Sequence, residues 1–301
     1  MPAIAAFYKF AALPDPAARR GPLLVLAGAE GLRGSVLLAP EGVNGTVAGP
    51  RAGLDALLAH IGGWPGFDGI DAKWAEAEAM PFGRMKVRIK REIVTMGQPD
   101  LDPRGGVGRY VEPAEWNAVV ADPDTVVIDT RNAYEVAIGS FEGALDPGTE
   151  AFGDFPAWWA ENRAELAGRR VAMFCTGGIR CEKSTAFLRS QGVEDVVHLK
   201  GGILRYLEDV PPEESLWRGG CFVFDDRVAV GHGLAPTGHV LCHACRRPLE
   251  PGDTKRPEYE PGVACHLCSN DTDEADKARY RERMRQIGLA RARGARHLGG
   301  G

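Results

Sequence analysis

Long apolar runs are absent from this sequence of 301 residues. No stretch approaches the roughly 18–20 consecutive apolar residues that a membrane-spanning helix needs, and the first ten residues lack the basic-then-apolar pattern of a secretory signal. Cysteine is scarce as well, with seven in the chain. A small, odd number favours a reducing compartment over a disulfide framework. We therefore expect a cytoplasmic protein that does not enter a membrane.

A uniform excess of positive charge is also missing, because the formal net charge is -5. This argues against a protein that coats nucleic acid over its whole surface. The distribution is nevertheless uneven, since the segment from Lys277 to His297 holds eight Lys and Arg residues and one acidic residue, Glu282. The sequence thus predicts a basic appendage on an acidic body.

The N-terminal segment, residues 1–97, alternates short apolar runs with helical patterns. Four strands are predicted, at Ala3–Phe10, Ser35–Ala39, Val43–Ala48 and Arg84–Val94. One helix is predicted at Pro22–Glu30 and another around Leu54, Leu57, Leu58 and Ile61, whose i, i+3, i+4, i+7 spacing gives one apolar face. The order β-α-β-β-α-β predicts a ferredoxin-like (acylphosphatase-like) sandwich, an α+β fold.

A second domain is predicted over residues 110–215, after a linker rich in Pro, Gly and Asp. Its short apolar runs are typical of parallel strands buried on both faces, and they lie at Val126–Ile128, Arg170–Phe174 and Val196–Leu199. A helix predicted at Glu182–Gln191 separates the last two. This alternation predicts an α/β sheet. Residues 216–301 remain as a small third module.

The most informative stretch follows the strand that ends at Phe174 and reads Cys175-Thr-Gly-Gly-Ile-Arg-Cys181. The paired glycines can adopt positive φ and turn backbone N–H groups toward the Cys175 sulfur. The N-terminus of the next helix and the guanidinium of Arg180 add positive charge. All three features favour the thiolate and lower the pKa of the thiol from about 8.5.

We therefore interpret Cys175 as a nucleophile that can carry sulfur as a persulfide, rather than as a buried structural cysteine. The loop backbone around it is formed by Thr176, Gly177, Gly178 and Ile179. Cys181 has two open interpretations: a resolving or regulatory thiol that pairs with Cys175 after oxidation, or a helix residue packed inward. Cys221, in an apolar Cys-Phe-Val-Phe run, is interpreted as a core residue.

This strand-to-cysteine loop resembles the active-site loop of rhodanese-like domains. Val127–Arg131, followed by Glu135 and Gly143–Ala144, is similar to the first strand and the substrate-side motif of that family. Lys200–Ile203 is similar to its closing Gly-Gly turn. The chain departs from the pattern at Gly139–Phe141, where many relatives carry a histidine, so no histidine role is carried over.

Four motifs together resemble one group, the rhodanese-containing tRNA uridine hydroxylases of the TrhO type: Glu41–Thr46, Pro81–Arg88, Cys175–Lys183 and Gly220–Asp225. The resemblance implies oxygen-dependent conversion of the wobble uridine (34) to 5-hydroxyuridine, with tRNA as partner and molecular oxygen as cosubstrate. It also implies that Cys175 is catalytic, that Asp129 and Arg131 stabilise the fold or line the site, and that the N-terminal domain faces the substrate. The sequence contains no His₂-carboxylate cluster, haem motif or G-x-G-x-x-G, so oxygen activation and the electron donor stay open.

Two basic stretches predict contacts with RNA. Arg84, Lys86, Arg88 and Lys90 alternate with apolar residues, which places four cations on one face of a strand. Such a row is destabilising unless an anion neutralises it. In the tail, Arg279 and Arg283 flank a narrow apolar stripe formed by Tyr280, Met284 and Ile287, typical of a docked helix that offers arginine to phosphate. The alternatives are a solvated strand face and a solvated terminus.

Two Cys-x₂-Cys pairs, Cys242/Cys245 and Cys265/Cys268, are separated by 19 residues. This spacing is typical of a tetrahedral four-cysteine zinc site, and the polar segment between the pairs could not form a core without it. Disulfides are the alternative, which a reducing compartment disfavours. We therefore predict structural zinc.

The favoured function is that of a cytoplasmic tRNA-modifying oxidoreductase with Cys175 and Arg180 at its catalytic site. The second hypothesis is a rhodanese-type sulfurtransferase that passes persulfide sulfur to a small acceptor or a carrier, served by a sulfur-donor or reductant protein. The third is a non-catalytic RNA-binding adaptor. Cys175 and Arg180 argue against the adaptor, and the basic stretches argue against a small-molecule sulfurtransferase.

Overall fold

The computed structural model describes residues 1–293; residues 294–301, which end the predicted C-terminal module, lie outside the described residues. Across the described part of the chain, no helix has both the length and the apolar character that a bilayer crossing requires. An N-terminal α+β domain, a central α/β domain and a C-terminal cysteine module follow one another along the chain.

The N-terminal domain consists of β1 (Ala3–Phe10), α1 (Pro16–Ala29), β2 (Arg33–Ala39), β3 (Gly42–Gly49), α2 (Arg51–Gly62), β4 (Ala72–Glu76) and β5 (Met85–Ile89). The strands form one sheet in the order β4-β1-β3-β2-β5. Only β2 and β5 pair in parallel within this sheet of the described chain. The predicted acylphosphatase-like sandwich is confirmed.

The strand that completes this sandwich was predicted in the wrong place. β4 closes the β-α-β-β-α-β order, and β5 is an added edge strand that ends at Ile89 rather than Val94. β4 reads Ala-Lys-Trp-Ala-Glu, too polar to be recognised as a strand from its sequence. The first helix also begins earlier than predicted, at Pro16, where the Asp15 carboxylate accepts a hydrogen bond from the Ala18 backbone N–H at 3.0 Å.

Both helices of this domain cover one face of its sheet. Phe7, Val36 and Val87 point toward them and belong to one apolar core with Leu54 and Leu57 of α2. Because successive side chains of a strand point to opposite faces, the residues between these core positions point away from the helices. That second, helix-free face lies toward the central domain and lines the cleft described below.

The central domain consists of β6 (Arg109–Val111), α3 (Pro113–Ala121), β7 (Thr125–Asp129), α4 (Ala133–Val136), β8 (Gly139–Phe141), α5 (Phe155–Asn162), β9 (Arg170–Phe174), α6 (Ile179–Ser190), β10 (Val196–Leu199) and α7 (Gly202–Asp209). The order β6-β10-β9-β7 forms an all-parallel sheet. The residues of β7 and β10 are buried throughout, as expected for strands covered by helices on both faces. The predicted rhodanese-like α/β domain is confirmed.

The C-terminal module starts with β11 (Trp217–Gly219), which pairs with β8 and thereby ties the module to the central domain. Two short hairpins follow, β12 (Cys221–Phe222) with β13 (Ala229–Val230), and β14 (Val240–Leu241) with β15 (Pro248–Leu249). The basic helix α8 spans Glu274–Ala292. The predicted domain boundaries, 1–97, 110–215 and 216–301, stay predictions.

Candidate active site

Cys175 lies directly after β9, at the point where the sheet passes into α6, and its side chain is fully buried. Gly178 adopts φ 105°, a left-handed conformation that glycine tolerates. This turns the Gly178 backbone N–H toward the thiol, and the nitrogen lies 3.1 Å from the Cys175 sulfur. Within the predicted loop from Thr176 to Ile179, Gly178 therefore supplies a backbone donor to the sulfur.

Two opposing effects set the pKa of Cys175. Burial opposes ionisation, but it is outweighed by a hydrogen bond from the Cys181 thiol, the charge of Arg180 and the backbone N–H groups of Cys181 and Gly178, and the pKa falls to about 5. Burial and the neighbouring Cys175 raise the pKa of Cys181 well above its ordinary value. At neutral pH the pair is therefore a thiolate that accepts a hydrogen bond from a thiol.

Arg180 is held by a buried carboxylate. Its Nη1 and Nη2 donate to Oε2 and Oε1 of Glu135 at 2.6 and 2.8 Å, and Nη2 also donates to Thr176 Oγ1 at 3.2 Å. Burial opposes ionisation of Glu135, but the charge and hydrogen bonds of Arg180, together with the Arg131 charge and the Asn132 backbone N–H, outweigh it and keep the pKa of that carboxyl below its ordinary value. The fork fixes the guanidinium plane beside the cysteine loop.

A second buried ion pair lies at the end of β7 and bonds to the segment that follows it. Arg131 donates through Nε and Nη2 to the two oxygens of Asp129, at 2.9 and 2.6 Å, and both side chains are fully buried. Ser140 donates a hydrogen bond to Asp129 Oδ2 at 2.8 Å. Ser140 belongs to the Gly139–Phe141 stretch, where many rhodanese-like domains carry a histidine. Asp129 and Arg131, two residues apart in the chain, thus make contacts that stabilise this part of the fold.

The N-terminal domain also reaches the cysteine loop. Lys73 of β4 donates its ammonium protons to the carbonyl of Gly177 at 2.9 Å and to the carbonyl of Gly201. Burial lowers the pKa of Lys73, and the thiolate of Cys175 opposes that shift. A lysine of one domain therefore braces the two glycine turns of the other.

The contact between the domains includes a buried charge triad. Lys183 of α6 has no exposed surface, and its Nζ lies 2.6 Å from Glu41 Oε2 and 2.7 Å from Glu92 Oε1. Glu41 also accepts a hydrogen bond from the Ile93 backbone N–H at 2.6 Å. One helix of the central domain is thereby joined to the hairpin of the N-terminal sheet and to the segment that follows β5.

A cleft of about 740 Å³ opens between the N-terminal and central domains, with Cys175 in its wall. Tyr8 and Lys73 line it from the N-terminal sheet, Tyr110 and Arg205 line it from the central domain, and the C-terminal module contributes Phe224. The volume lies within the range of ligand pockets. Aromatic rings can stack on an RNA base, and cations can bind its phosphate, so this lining suits a nucleotide.

The cations on and beside β5 that were predicted to contact RNA lie at the opposite edge of the sheet from Lys73 of β4. In register, Lys73 faces Ala6, Ala6 faces Thr46, Thr46 faces Ser35 and Ser35 faces Lys86, so this row crosses all five strands on the helix-free face. At about 4.8 Å per strand the row is about 19 Å long. Arg84, Arg88 and Lys90 are exposed and Lys86 is half-buried at its far edge.

The two tail arginines have partners within the described chain. Arg283 donates through Nη2 to the carbonyls of His243 and Gly262, at 3.1 and 2.9 Å, which docks α8 on the cysteine module. Arg279 is exposed and forms an ion pair with Asp276 at 2.8 Å. The guanidinium of Arg283 therefore contributes to packing, whereas Arg279 keeps an exposed side chain.

The four C-terminal cysteines form one cluster, candidate metal ligands as predicted. The sulfur atoms of Cys242, Cys245, Cys265 and Cys268 all lie within 4.8 Å of one another, with separations of 3.7, 3.8 and 4.0 Å for three of the pairs. Four sulfurs at about 2.3 Å from a central zinc would be about 3.8 Å apart in a tetrahedron. The cluster could therefore hold a metal ion.

Sequence reasoning missed several cleft residues. Tyr8, Lys73 and Tyr110 belong to elements distant from Cys175 in sequence, and only domain docking brings them to it. Glu182 and Lys183 stand inside the cysteine motif, but their partners are on other elements. Tyr8, a tyrosine in a strand that is apolar up to Phe7, was the available signal for a second functional face.

Comparison with known families agrees with this architecture. Residues 3–93 match the UPF0176 acylphosphatase like domain. Residues 112–209 match the rhodanese-like domain. The two matches fall on the two sides of the cleft.

Comparison with curated proteins extends the similarity over the whole chain. The chain is 61% identical over 290 residues to the tRNA uridine(34) hydroxylase of Roseobacter denitrificans, covering 96% of this chain and 98% of the relative. It is 61% identical over 298 residues to that of Jannaschia sp., covering 99% of each. With the protein of the same name in Ruegeria pomeroyi it shares 63% over 295 residues, covering 98% of each.

Proposed function

The chain belongs to the tRNA uridine(34) hydroxylase family, as its motifs suggested, and on that premise we propose that it hydroxylates uridine 34 of tRNA to 5-hydroxyuridine. The substrates are tRNA and molecular oxygen, and the reaction takes place in the cytoplasm. One observation carries the proposal: a buried cysteine whose pKa falls to about 5 lies in a cleft shared by both domains. The electron donor is a reductant from outside the chain.

In this proposal each part of the site has a separate task. Cys175 supplies a thiolate at neutral pH, and Arg180, fixed by Glu135, keeps positive charge beside it. Lys73 holds the shape of the two glycine turns. The cleft receives the uridine after it leaves the stack of the anticodon loop, because a base must be exposed before its ring can be modified.

The helix-free face of the N-terminal sheet is the proposed binding surface for the tRNA backbone. It leads from Lys73 at the cysteine loop to the cations on and beside β5. Exposed lysine and arginine bind phosphate with release of counterions. Arg279 is proposed as a further phosphate contact, while Arg283 is committed to the packing of α8.

The C-terminal cysteine cluster is proposed to hold structural zinc. The spacing of its sulfurs fits a tetrahedral thiolate site. Cys242 and Cys245 follow β14, and Cys265 and Cys268 precede α8, so the ion would join the hairpin to the helix. Zinc acts there as a fold-stabilising ion and takes no part in the chemistry at Cys175.

The experiment for the proposed activity compares tRNA hydroxylation with sulfur transfer. Wild-type protein with tRNA, oxygen and a thiol reductant is expected to form 5-hydroxyuridine, measured by nucleoside mass spectrometry. Cys175→Ser is expected to abolish it while tRNA binding stays intact, because serine is not acidic enough to ionise. Cys181→Ser retains a hydroxyl that donates to Cys175 and is expected to keep substantial activity.

A rhodanese-type sulfurtransferase is the second candidate, because the same backbone donors around Cys175 would also stabilise a persulfide. Two results together would favour this candidate over the first. The protein would form thiocyanate efficiently from thiosulfate and cyanide, and tRNA hydroxylation would not change when the protein is supplied or deleted.

The experiment for the RNA surface uses the salt dependence of tRNA binding. Arg88→Ala/Lys90→Ala is expected to lower affinity and to flatten the plot of log affinity against log salt by about 0.7–0.9 per lost phosphate contact. Arg163→Ala/Arg169→Ala removes two exposed arginines beyond α5 and is the matched control. Equal slopes of log affinity against log salt for the two variants would contradict the proposed binding surface.

A further inference from the structure

Glu182 occupies an unusual environment in the wall of the cleft. It lies in the first turn of α6, and the Tyr8 hydroxyl from β1 donates to its Oε1 at 2.8 Å. Tyr110 of β6 lies close enough to the same carboxyl to help lower its pKa. Two domains thus each place one phenol beside a single carboxyl group.

This carboxyl differs from the other acids around it. Glu135 is paired with Arg180, and Glu41 is paired with Lys183. Among residues 1–293 no Lys or Arg forms an ion pair with Glu182, and its side-chain hydrogen-bond partner there is the Tyr8 hydroxyl. A half-buried carboxyl with a neutral partner in a cleft is poised to exchange a proton.

The electrostatics agree with that geometry. Burial raises the pKa of Glu182, Tyr8 and Tyr110 oppose the rise, and the thiolate of Cys175 adds to it. Burial also raises the pKa of Tyr8, so its hydroxyl keeps its proton and remains a donor. The groups that face Glu182 are therefore two protonated phenols, from β1 and β6, and one thiolate from the loop after β9.

We propose that Glu182 is the group that removes the C5 proton of the bound uridine, with Tyr8 and Tyr110 fixing its orientation. The inference rests on the proposed hydroxylase function and assigns a catalytic residue to it. Cys175 suits this task poorly, because its fully buried sulfur already accepts a hydrogen bond from the Gly178 backbone N–H. Glu182 lines the same cleft and has a neutral hydroxyl as its hydrogen-bond partner.

The proton transfer fits a balanced reaction. Uridine, molecular oxygen and two equivalents of a thiol reductant give 5-hydroxyuridine, one water and one disulfide. The thiol reductant first reduces molecular oxygen to the level of a peroxide and becomes the disulfide. The C5–C6 double bond then supplies the electron pair of a new C5–O bond while the O–O bond breaks and its other oxygen leaves as water. The C5–H bond breaks next. Its electron pair restores the C5–C6 double bond, and its proton passes to the Glu182 carboxylate and from there to water.

The test uses tRNA carrying tritium at C5 of uridine, with tritium release to water measured beside nucleoside analysis. Glu182→Gln keeps the size and an acceptor for Tyr8 but cannot take a proton, and both signals are expected to fall by about 10²-fold or more. Binding of tRNA is expected to be unchanged. Glu194→Gln removes the same charge at an exposed position outside the cleft and is the matched control, expected to behave as wild type.

A second variant tests the orientation by the two tyrosines. Tyr8→Phe keeps Glu182 and removes a hydrogen bond that lowers its pKa. The carboxylate then protonates at higher pH, so the acid limb of the rate profile is expected to move to higher pH than in wild type. An unmoved limb would show that Glu182 does not set the profile.

The outcomes separate the inference from the function on which it rests. Undiminished tritium release by Glu182→Gln overturns the inference and leaves the hydroxylase function standing. Loss of tRNA binding or of thermal stability in parallel with activity makes Glu182 a structural residue and also overturns it. Absence of 5-hydroxyuridine with wild-type protein overturns the proposed function itself.

Discussion

The ionisation of Cys175 allows a quantitative test of the site. A pKa lowered from 9.0 to about 5 corresponds to about 5 kcal/mol in favour of the thiolate. At neutral pH about 99% of the thiol is then ionised, against about 1% at the ordinary value. Since burial acts in the opposite direction, the hydrogen bonds and the Arg180 charge must supply more than this difference.

Removing the charge of Arg180 alone would leave Glu135 buried without a partner, which costs about 3–5 kcal/mol of stability. The double substitution Arg180→Met/Glu135→Gln removes both charges with little change in volume. A nearby opposite charge lowers the pKa of an acidic group by about 1–3. The pKa of Cys175 is therefore expected to rise to about 6–8 in the double variant, which lacks the Arg180 charge. Its nucleophilic fraction at neutral pH falls accordingly.

The assay is the absorbance of thiolate near 240 nm as a function of pH, recorded as the difference between each protein and its Cys175→Ser counterpart. This reports ionisation without requiring a reagent to reach a buried sulfur. Arg218→Met, which removes an exposed arginine paired with Glu142, is the control and is expected to titrate as wild type. The reasoning is refuted if the wild-type thiol titrates near 9, or if the double variant titrates as the wild type does.

Three further predictions follow from separate parts of the molecule. Elemental analysis is expected to find about one zinc per chain, lost in Cys242→Ser/Cys265→Ser; metal-free protein with four free thiols would contradict this. Gly202→Ala is expected to abolish activity, because a Cβ there would lie 2.5 Å from the Cys175 carbonyl oxygen. The control Gly148→Ala has a similar φ but open space around its Cβ, so it is expected to lose only about 1–2 kcal/mol of stability and to keep activity. Equal activity losses in the two variants would argue against the steric reason. Lys183→Met is expected to lower the free energy of urea unfolding by about 3–5 kcal/mol, with recovery when both carboxylate partners are changed to glutamine; an unrecovered loss would point to packing instead.

Local features of this protein could be predicted from its sequence. The loop at Cys175 depends on a strand, two glycines and a helix start that are contiguous in the chain, and the structure has all three. The cysteine cluster depends on two short repeats of one spacing, and the four sulfurs do meet. The period of two along Arg84–Lys90 also identified the strand of that region, although not its edge position.

Features that depend on domain docking could not be predicted in this way. Lys73 lies on a strand too polar to be recognised, and its partner carbonyls are more than one hundred residues away. Tyr8 lies between Phe7 and Lys9 near the end of β1, and this local context does not mark it as a residue of a cleft. The side chain of Arg283 reaches backbone carbonyls whose direction depends on the fold of the cysteine module. In each case the sequence contains the residue but not the position of its partner.

The first turn of α6 restricts how the length of this chain can vary. Arg180, Cys181, Glu182 and Lys183 are consecutive, and each contacts a different partner: Glu135, Thr130, Tyr8 and the Glu41/Glu92 pair. One inserted or deleted residue before this turn rotates everything after it by about 100° around the helix axis. Each of the four side chains would then point at its neighbour's partner. We therefore expect changes of length to occur in surface loops rather than between Cys175 and Lys183.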